Sequence, residues 1–394
     1  MKAIKTFFAG IFVFALLNFA SAQTVIHITG STAFRGATHT AIGHILNAGY
    51  TVGYSGATVN GAAQAVFSGT TVTGNVPVVI KTSWSGSVGG MQQLAQLSPA
   101  LTVSTWLQTG LTGGGLTGPY DPAAPADITM SDSFQSSTAF FGTGFATLVD
   151  NIVGVAPFVW VKGSSSDSGV SASLANVTNI TPVLARLLLS NGSAPMSQFT
   201  GTAADSAYDL AVVGRDEDSG TRLDAYADCG FGVFGSPLQY QATVTSGATT
   251  AIIPWPANTV NGILYSVGHS GYSSGGNLAT ALNATVASSA TDPFGNKFAL
   301  IGYAGTSDAN TVNAGGNNLT YNGVPYSAAN VQQGRYTFWS YEHLMYRSTL
   351  AASSITVAQL IAQQILTTDA TVSGILFGSM AVSRTVEGGI VTHN

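Results

Sequence analysis

Ala211-Val212-Val213-Gly214-Arg215-Asp216-Glu217-Asp218-Ser219-Gly220-Thr221 reads as a buried strand that stops at an arginine, crosses three acids and enters a helix at Ser219. Arg222-Leu223-Asp224-Ala225 continue that helix. A helix N-terminus carries unpaired amides and the positive end of the helix dipole, so it attracts anions. The neighbouring guanidinium adds a planar fork of donors that matches a tetrahedral oxyanion. One such corner by itself reads first as a capped helix beside a surface ion pair. Its meaning changes when the rest of the chain repeats it.

Upstream, Val25-Ile26-His27-Ile28 runs into Gly30-Ser31-Thr32-Ala33-Phe34, and Arg35 to Leu46 reads as a helix with Ala41, Ile42, Ile45 and Leu46 on one face. A β-rich run over 50–82 ends at Val78-Val79-Ile80. Ser83-Trp84-Ser85-Gly86-Ser87-Val88-Gly89-Gly90 then leads into a helix through Leu94. Asp132 follows a short apolar strand within Asp127-Ile128-Thr129-Met130-Ser131. Residues 109–125, rich in glycine and proline, read as a loop or insertion. Val153 to Val161 is a long apolar run, the best candidate for a strand passing between two lobes. Thr181 and Pro182 open a helix through Leu189 as N-cap and first helical residue. Phe298 to Tyr303 reads as another buried strand, a later one carries Leu344 and Met345, and Val357 to Leu366 closes the series as a helix. Strands alternating with helices predict an α/β architecture with mainly parallel sheets.

Composition narrows the class. The 394 residues suffice for two domains, and 45% hydrophobic content can fill a large core. Charged residues make up only 7%, and no basic patch accompanies the aromatics, which excludes nucleic-acid binding. Met1 to Ala22 reads as a secretory signal peptide: Lys2 and Lys5, an apolar stretch from Phe7 to Phe19, and Ala20-Ser21-Ala22 as the cleavage site. The mature chain is expected to start at Gln23, periplasmic or secreted, without membrane insertion. Losing the two lysines takes the net charge from −5 to −7. Cys229 is the sole cysteine, so no internal disulfide can form. His39 and His44 are five apart and share no helical face, and no metal or cofactor site is expected.

Taken in order, these corners resemble the periplasmic phosphate-binding proteins of bacterial ABC transporters, over most of the mature sequence. Gly30-Ser31-Thr32 is similar to the family's first phosphate loop, and Gly86-Ser87-Val88-Gly89-Gly90 to its second. Met130-Ser131-Asp132 matches its ligand aspartate segment, and Arg215-x-x-x-Ser219-Gly220-Thr221 its most specific signature. The resemblance implies two α/β lobes, each a mostly parallel sheet flanked by helices, joined by a two-stranded hinge. Lobe I would hold 23–155 and 335–394, and lobe II 156–334. It further implies that Thr32 and the backbone at Ala33 or Phe34 contact phosphate, with Ser31 in support. Ser87 would donate its hydroxyl and Asp132 accept a proton. Arg215, Ser219, Gly220 and Thr221 would contact the ligand from the other lobe. Asp216, Glu217 and Asp218 compete to orient the arginine, and Glu217 has the family's spacing. A carboxylate beside an anion repels it unless the anion brings a proton, so Asp132 would admit phosphate and reject sulfate.

The implied function is a binding protein, not an enzyme. It would be a monomer that takes inorganic phosphate to an ABC permease. Two other classes compete. A secreted phosphatase-like hydrolase would need a nucleophile motif, and neither Gly268-His269-Ser270-Gly271 nor Gly53-Tyr54-Ser55-Gly56 fits Gly-x-Ser-x-Gly. A surface or matrix protein of the same fold, binding another small anion, would suit the low charge and the Gly/Thr-rich segments.

Overall fold

The computed structural model describes residues 23–394; the expected signal peptide lies outside them. Ten strands form one mixed sheet. They are β1 (Thr24–Gly30), β2 (Thr51–Tyr54), β3 (Gln64–Thr70), β4 (Pro77–Ser83), β5 (Ile128–Ser131), β6 (Leu148–Lys162), β7 (Ser193–Pro195), β8 (Tyr208–Val212), β9 (Lys297–Gly305) and β10 (Trp339–Arg347). Their spatial order is β2-β3-β4-β1-β5-β10-β6-β9-β8-β7. Helices α1 (Arg35–Ile45), α2 (Ser87–Ala95), α3 (Ser168–Asn176), α4 (Pro182–Asn191), α5 (Gly220–Asp228), α6 (Gly275–Asn283) and α7 (Ala352–Thr367) accompany it. The predicted elements are present, most of them a residue or more longer than expected. Thr181 caps α4 by accepting from the Leu184 amide at 3.3 Å, with Pro182 at the first helical position.

The parallel pairings sit at two centres, β1 with β4 and β5 on one side and β8 with β9 on the other. Antiparallel strands complete the sheet around them. β6 joins the two centres: residues 148–157 pair with β10, and residues 158–162 pair with β9. Pro157, which has no N–H to donate, stands at the change of partner, where a central strand tolerates it. From Val153 to Val161 every β6 residue is buried, which is why that segment is apolar without alternation.

This topology fixes where a site can form. β1, β4 and β5 run in the same direction as β6, while β8 and β9 run against it. The carboxyl ends of one parallel group therefore point at those of the other. Ligands of open α/β sheets bind outside the carboxyl ends of strands. Here two such ends face each other.

Candidate functional site

Three corners of the first half are tied together through backbone. The Ser31 amide donates to the Met130 carbonyl at 2.8 Å, and the Gly86 amide to the Gly30 carbonyl at 2.9 Å. The Thr29 hydroxyl donates to the Ser83 carbonyl at 2.7 Å. Gly30 has a φ of +107°, and a Cβ there would lie 2.0 Å from the Met130 carbonyl, so only glycine lets β1 and β5 converge. α2 starts at Ser87 and α1 at Arg35, directly after two of these corners.

The second half meets them with the N-terminus of α5. Ser219 is its N-cap, and its hydroxyl accepts from the Arg222 amide at 3.3 Å. Asp132 reaches across to this helix. It accepts from the Ser87 hydroxyl at 2.5 Å and from the Thr221 hydroxyl at 3.3 Å. Its carboxylate lies so close to Gly220 that a Cβ there would be 1.6 Å from Oδ1. The reciprocal contact is made by Asp218, whose carbonyl accepts from the Val88 and Gly89 amides of α2 at 3.0 and 3.3 Å. Each half thus places an oxygen on a helix start of the other. Burial pushes the Asp132 carboxyl up, opposed by the Ser87 and Thr221 hydroxyls and by the Arg215 charge.

Arg215 is 2% exposed. Its Nε donates to the Tyr272 carbonyl at 3.0 Å and its Nη2 to the Ser273 carbonyl at 3.2 Å. Its own carbonyl accepts from Arg222 Nη1 and Gln239 Nε2, both at 3.1 Å. The guanidinium is thereby clamped on one edge. Glu217, expected to orient it, does not: it accepts from Ser270 at 2.6 Å and Asn258 at 3.4 Å, because the turn carries it outward onto 258–270. Two backbone carbonyls hold the arginine instead. Asp216 and Asp218 are pushed up to about 7 and about 6, burial being the main cause in both.

Thr32 and Ala33 are half-buried, and Ala33 lies 3.6 Å from where a Cβ on Gly305 would be, at the end of β9. The Phe34 ring is buried against Gly154 and Gly374, so only its backbone can face a ligand. Ser31 donates its hydroxyl to Glu342 Oε2 at 3.2 Å. Among the described residues, the amides of Thr32, Ala33, Phe34, Gly220 and Thr221 have no intrachain acceptor. Such orphan donors at a helix start are normally satisfied by a ligand or water. A cavity of about 220 Å³ opens beside the junction, walled by Val88 and Thr138 on one side and Ser219, Arg222 and Tyr265 on the other. No cluster of His, Cys, Asp and Glu suited to a metal ion occurs among the described residues.

Four charged residues that the sequence reading left out are buried at the same junction. Asp224 lies one turn after Gly220 on α5, Glu342 on β10, and Arg384 and Glu387 in the C-terminal segment. Glu387 accepts from the Phe134 amide and the Ser137 hydroxyl. Arg384 pairs with Asp228 of α5 at 3.5 Å and lies over the Trp339 ring at 3.9 Å. The signal for Glu342 was present: in a chain with 7% charge, an acid inside an apolar strand is conspicuous.

No family model matches the chain, and no curated protein matches it. Solved structures similar to it include a protein described as a phosphate ABC transporter substrate-binding protein with bound phosphate, from Clostridium perfringens. It shares 14% identity at a TM-score of 0.46, over 90% of this chain and 99% of that one. An ABC-type phosphate transport receptor from Vibrio cholerae shares 14% identity at 0.42, over 86% and 94%. PstS from Borrelia burgdorferi shares 13% at 0.38, over 90% and 98%. TM-scores below 0.5 leave the functional reading to the residues of the site. No helix among the described residues is long and apolar enough to cross a membrane.

Proposed function

We propose that the chain is an extracytoplasmic solute-binding protein that captures inorganic phosphate between two lobes. Residues 23–155 with 335–394 form one lobe and residues 156–334 the other, and the ligand is passed to an ABC permease. The observation that carries the reading is the set of unpartnered backbone donors at the starts of α1 and α5, the latter beside Asp132. The Thr32, Ala33, Phe34, Gly220 and Thr221 amides come from both halves. Ser87, Thr221 and the charge of Arg215 converge on the same carboxylate. Amides and a clamped guanidinium replace the hydration shell of an oxyanion at little reorganisation cost. Ser31 supports the first loop from beneath, and Ser219 holds the helix start in shape.

Asp132 supplies the selectivity. An ionised carboxylate in the cradle accepts a hydrogen bond from the O–H of a hydrogen phosphate and leaves a fully deprotonated sulfate repelled and unbonded. Titration calorimetry of the chain from Gln23 onward tests the proposal. Phosphate should bind at micromolar affinity or tighter, roughly −8 kcal/mol or stronger, with no heat from sulfate. Equal binding of the two anions, or of neither, defeats it.

A further inference from the structure

We propose that closure of the two halves over the anion takes up a proton onto Asp224, so that anion and proton are captured together; this rests on the phosphate-receptor reading above. Asp224 follows Gly220 by four residues, on the same face of α5, and is 2% exposed. Neither of its oxygens has a hydrogen-bond partner among the described residues. A buried carboxylate without a donor is among the costliest groups a fold can carry as an anion, and protonation removes the charge.

One cation, Arg384, faces Asp224 and offsets only part of the cost of its charge. From the corner after β5, Asp132 faces Asp224; from β10, Glu342; from the C-terminal segment, Glu387 and Arg384. Arg384 gives its two Nη groups to Asp228 and to the Thr337 carbonyl and lies over the Trp339 ring, and its remaining Nε–H does not reach the Asp224 oxygens. On α5 itself, Arg222 spends one Nη on the Arg215 carbonyl and lies over Tyr226. Glu342 is wholly buried, receives only the Ser31 hydroxyl on Oε2, and has Oε1 unpartnered. Three acids and one engaged arginine therefore face Asp224. Burial first, then the Asp132, Glu387 and Glu342 charges, push its carboxyl well above the usual range against the opposing Arg384; burial and Asp132 push Glu342 well up too.

The groups belong to opposite sides of the junction. Asp224 travels with α5, whereas Asp132 and Glu342 belong to the corner after β5 and to β10. Parting the halves returns water to Asp224 and separates it from those charges, which restores an ordinary carboxyl that is ionised at neutral pH. Closing them reverses this. The coupling follows from linkage: a group whose proton is held only in the closed state makes closure easier as pH falls.

The test is phosphate calorimetry at pH 7 in buffers of differing ionisation heat, which counts protons taken up per anion bound. It compares the wild type with Asp224→Asn. The phosphate's own titration is common to both proteins and cancels in the difference. The wild type should take up close to one proton more than D224N. Between pH 6 and 8 its affinity should fall relative to D224N by up to tenfold per pH unit. Equal proton counts overturn the proposal. A second variant, Glu342→Gln, removes one facing acid and should move the pH of half-uptake downward; an unmoved profile counts against the idea. If neither protein binds phosphate, the receptor reading fails and the coupling with it, whereas phosphate binding with equal proton counts overturns the coupling alone.

Discussion

Replacing Gly220 with alanine sets two physical effects against each other. Gly220 is the first residue of α5 and has no left-handed φ, so backbone geometry does not require glycine there. Helix propensity alone predicts that G220A stabilises the protein by up to about 1 kcal/mol. Space predicts the opposite. The new Cβ would lie 1.6 Å from Asp132 Oδ1 and 2.8 Å from Ser133 Oγ. The carboxylate would have to retreat by nearly 2 Å to reach ordinary contact, leaving the Ser87 and Thr221 hydroxyls. Hydrogen bonds to a charged group contribute roughly 1.5–3 kcal/mol each. Losing one of the two, together with the close approach of ligand to the helix start, gives a deficit of about 3 kcal/mol, or roughly 100-fold in phosphate affinity. Calorimetry with phosphate and a thermal melt of G220A measure both quantities. An unchanged affinity with a raised melting temperature would refute the placement of Asp132 on this helix end.

Three further substitutions probe the same junction. Asp132→Asn turns an acceptor into a group that also donates, so the preference for phosphate over sulfate should shrink by an order of magnitude or more in competition binding, with sulfate binding gained. Arg384→Ala strands Asp228 in a buried position and uncovers Trp339. It should cost roughly 3–5 kcal/mol in denaturant unfolding, and a loss below about 1 kcal/mol would mean that the pair is solvated. Asp216 holds its proton up to about 7 in the folded chain because it is buried, whereas the unfolded side chain releases it near its ordinary value of 3.8. The folded state thus binds more protons between those values, and stability falls as pH rises through the window. Asp216→Asn should flatten that fall in melts taken from pH 5 to 8.

The parts of the site that were legible in sequence are those written locally. Strand, small-residue turn and helix start are each specified within about a dozen residues, so the corners at 30–35, 83–87 and 211–221 could be located one at a time. Their glycines carried the signal, because Gly30 and Gly86 permit approaches that a Cβ would block. Val153 to Val161 announced itself as the crossing strand through its unbroken apolar run. Asp132 was different. Its corner looks like any capped turn, and only the resemblance marked it. Glu217 shows the limit of spacing as an argument: the distance from Arg215 was right, but the turn aims the side chain at Ser270.

What stayed hidden was the chemistry made by one half meeting the other. Asp224 sits three residues past a recognised motif and reads as a solvated helical acid, since helix periodicity cannot say which face a second element will cover. Its burial depends on Glu342, Arg384 and Glu387, all more than 100 residues later in the chain. The C-terminal segment illustrates the same point, because Arg384 reaches α5 while Glu387 reaches the turn at Phe134 and Ser137 on the other side. A low overall charge makes such burial informative. Ordinary proteins place most carboxylates in water, whereas this chain spends several of its seventeen acids at one junction. On the proposed reading these groups, which repel one another when ionised and lose water when the halves meet, would be balanced by protons and by an anion held on helix starts. Donors that bind the ligand and acids that oppose closure would then be parts of a single equilibrium, and their substitution effects should not add.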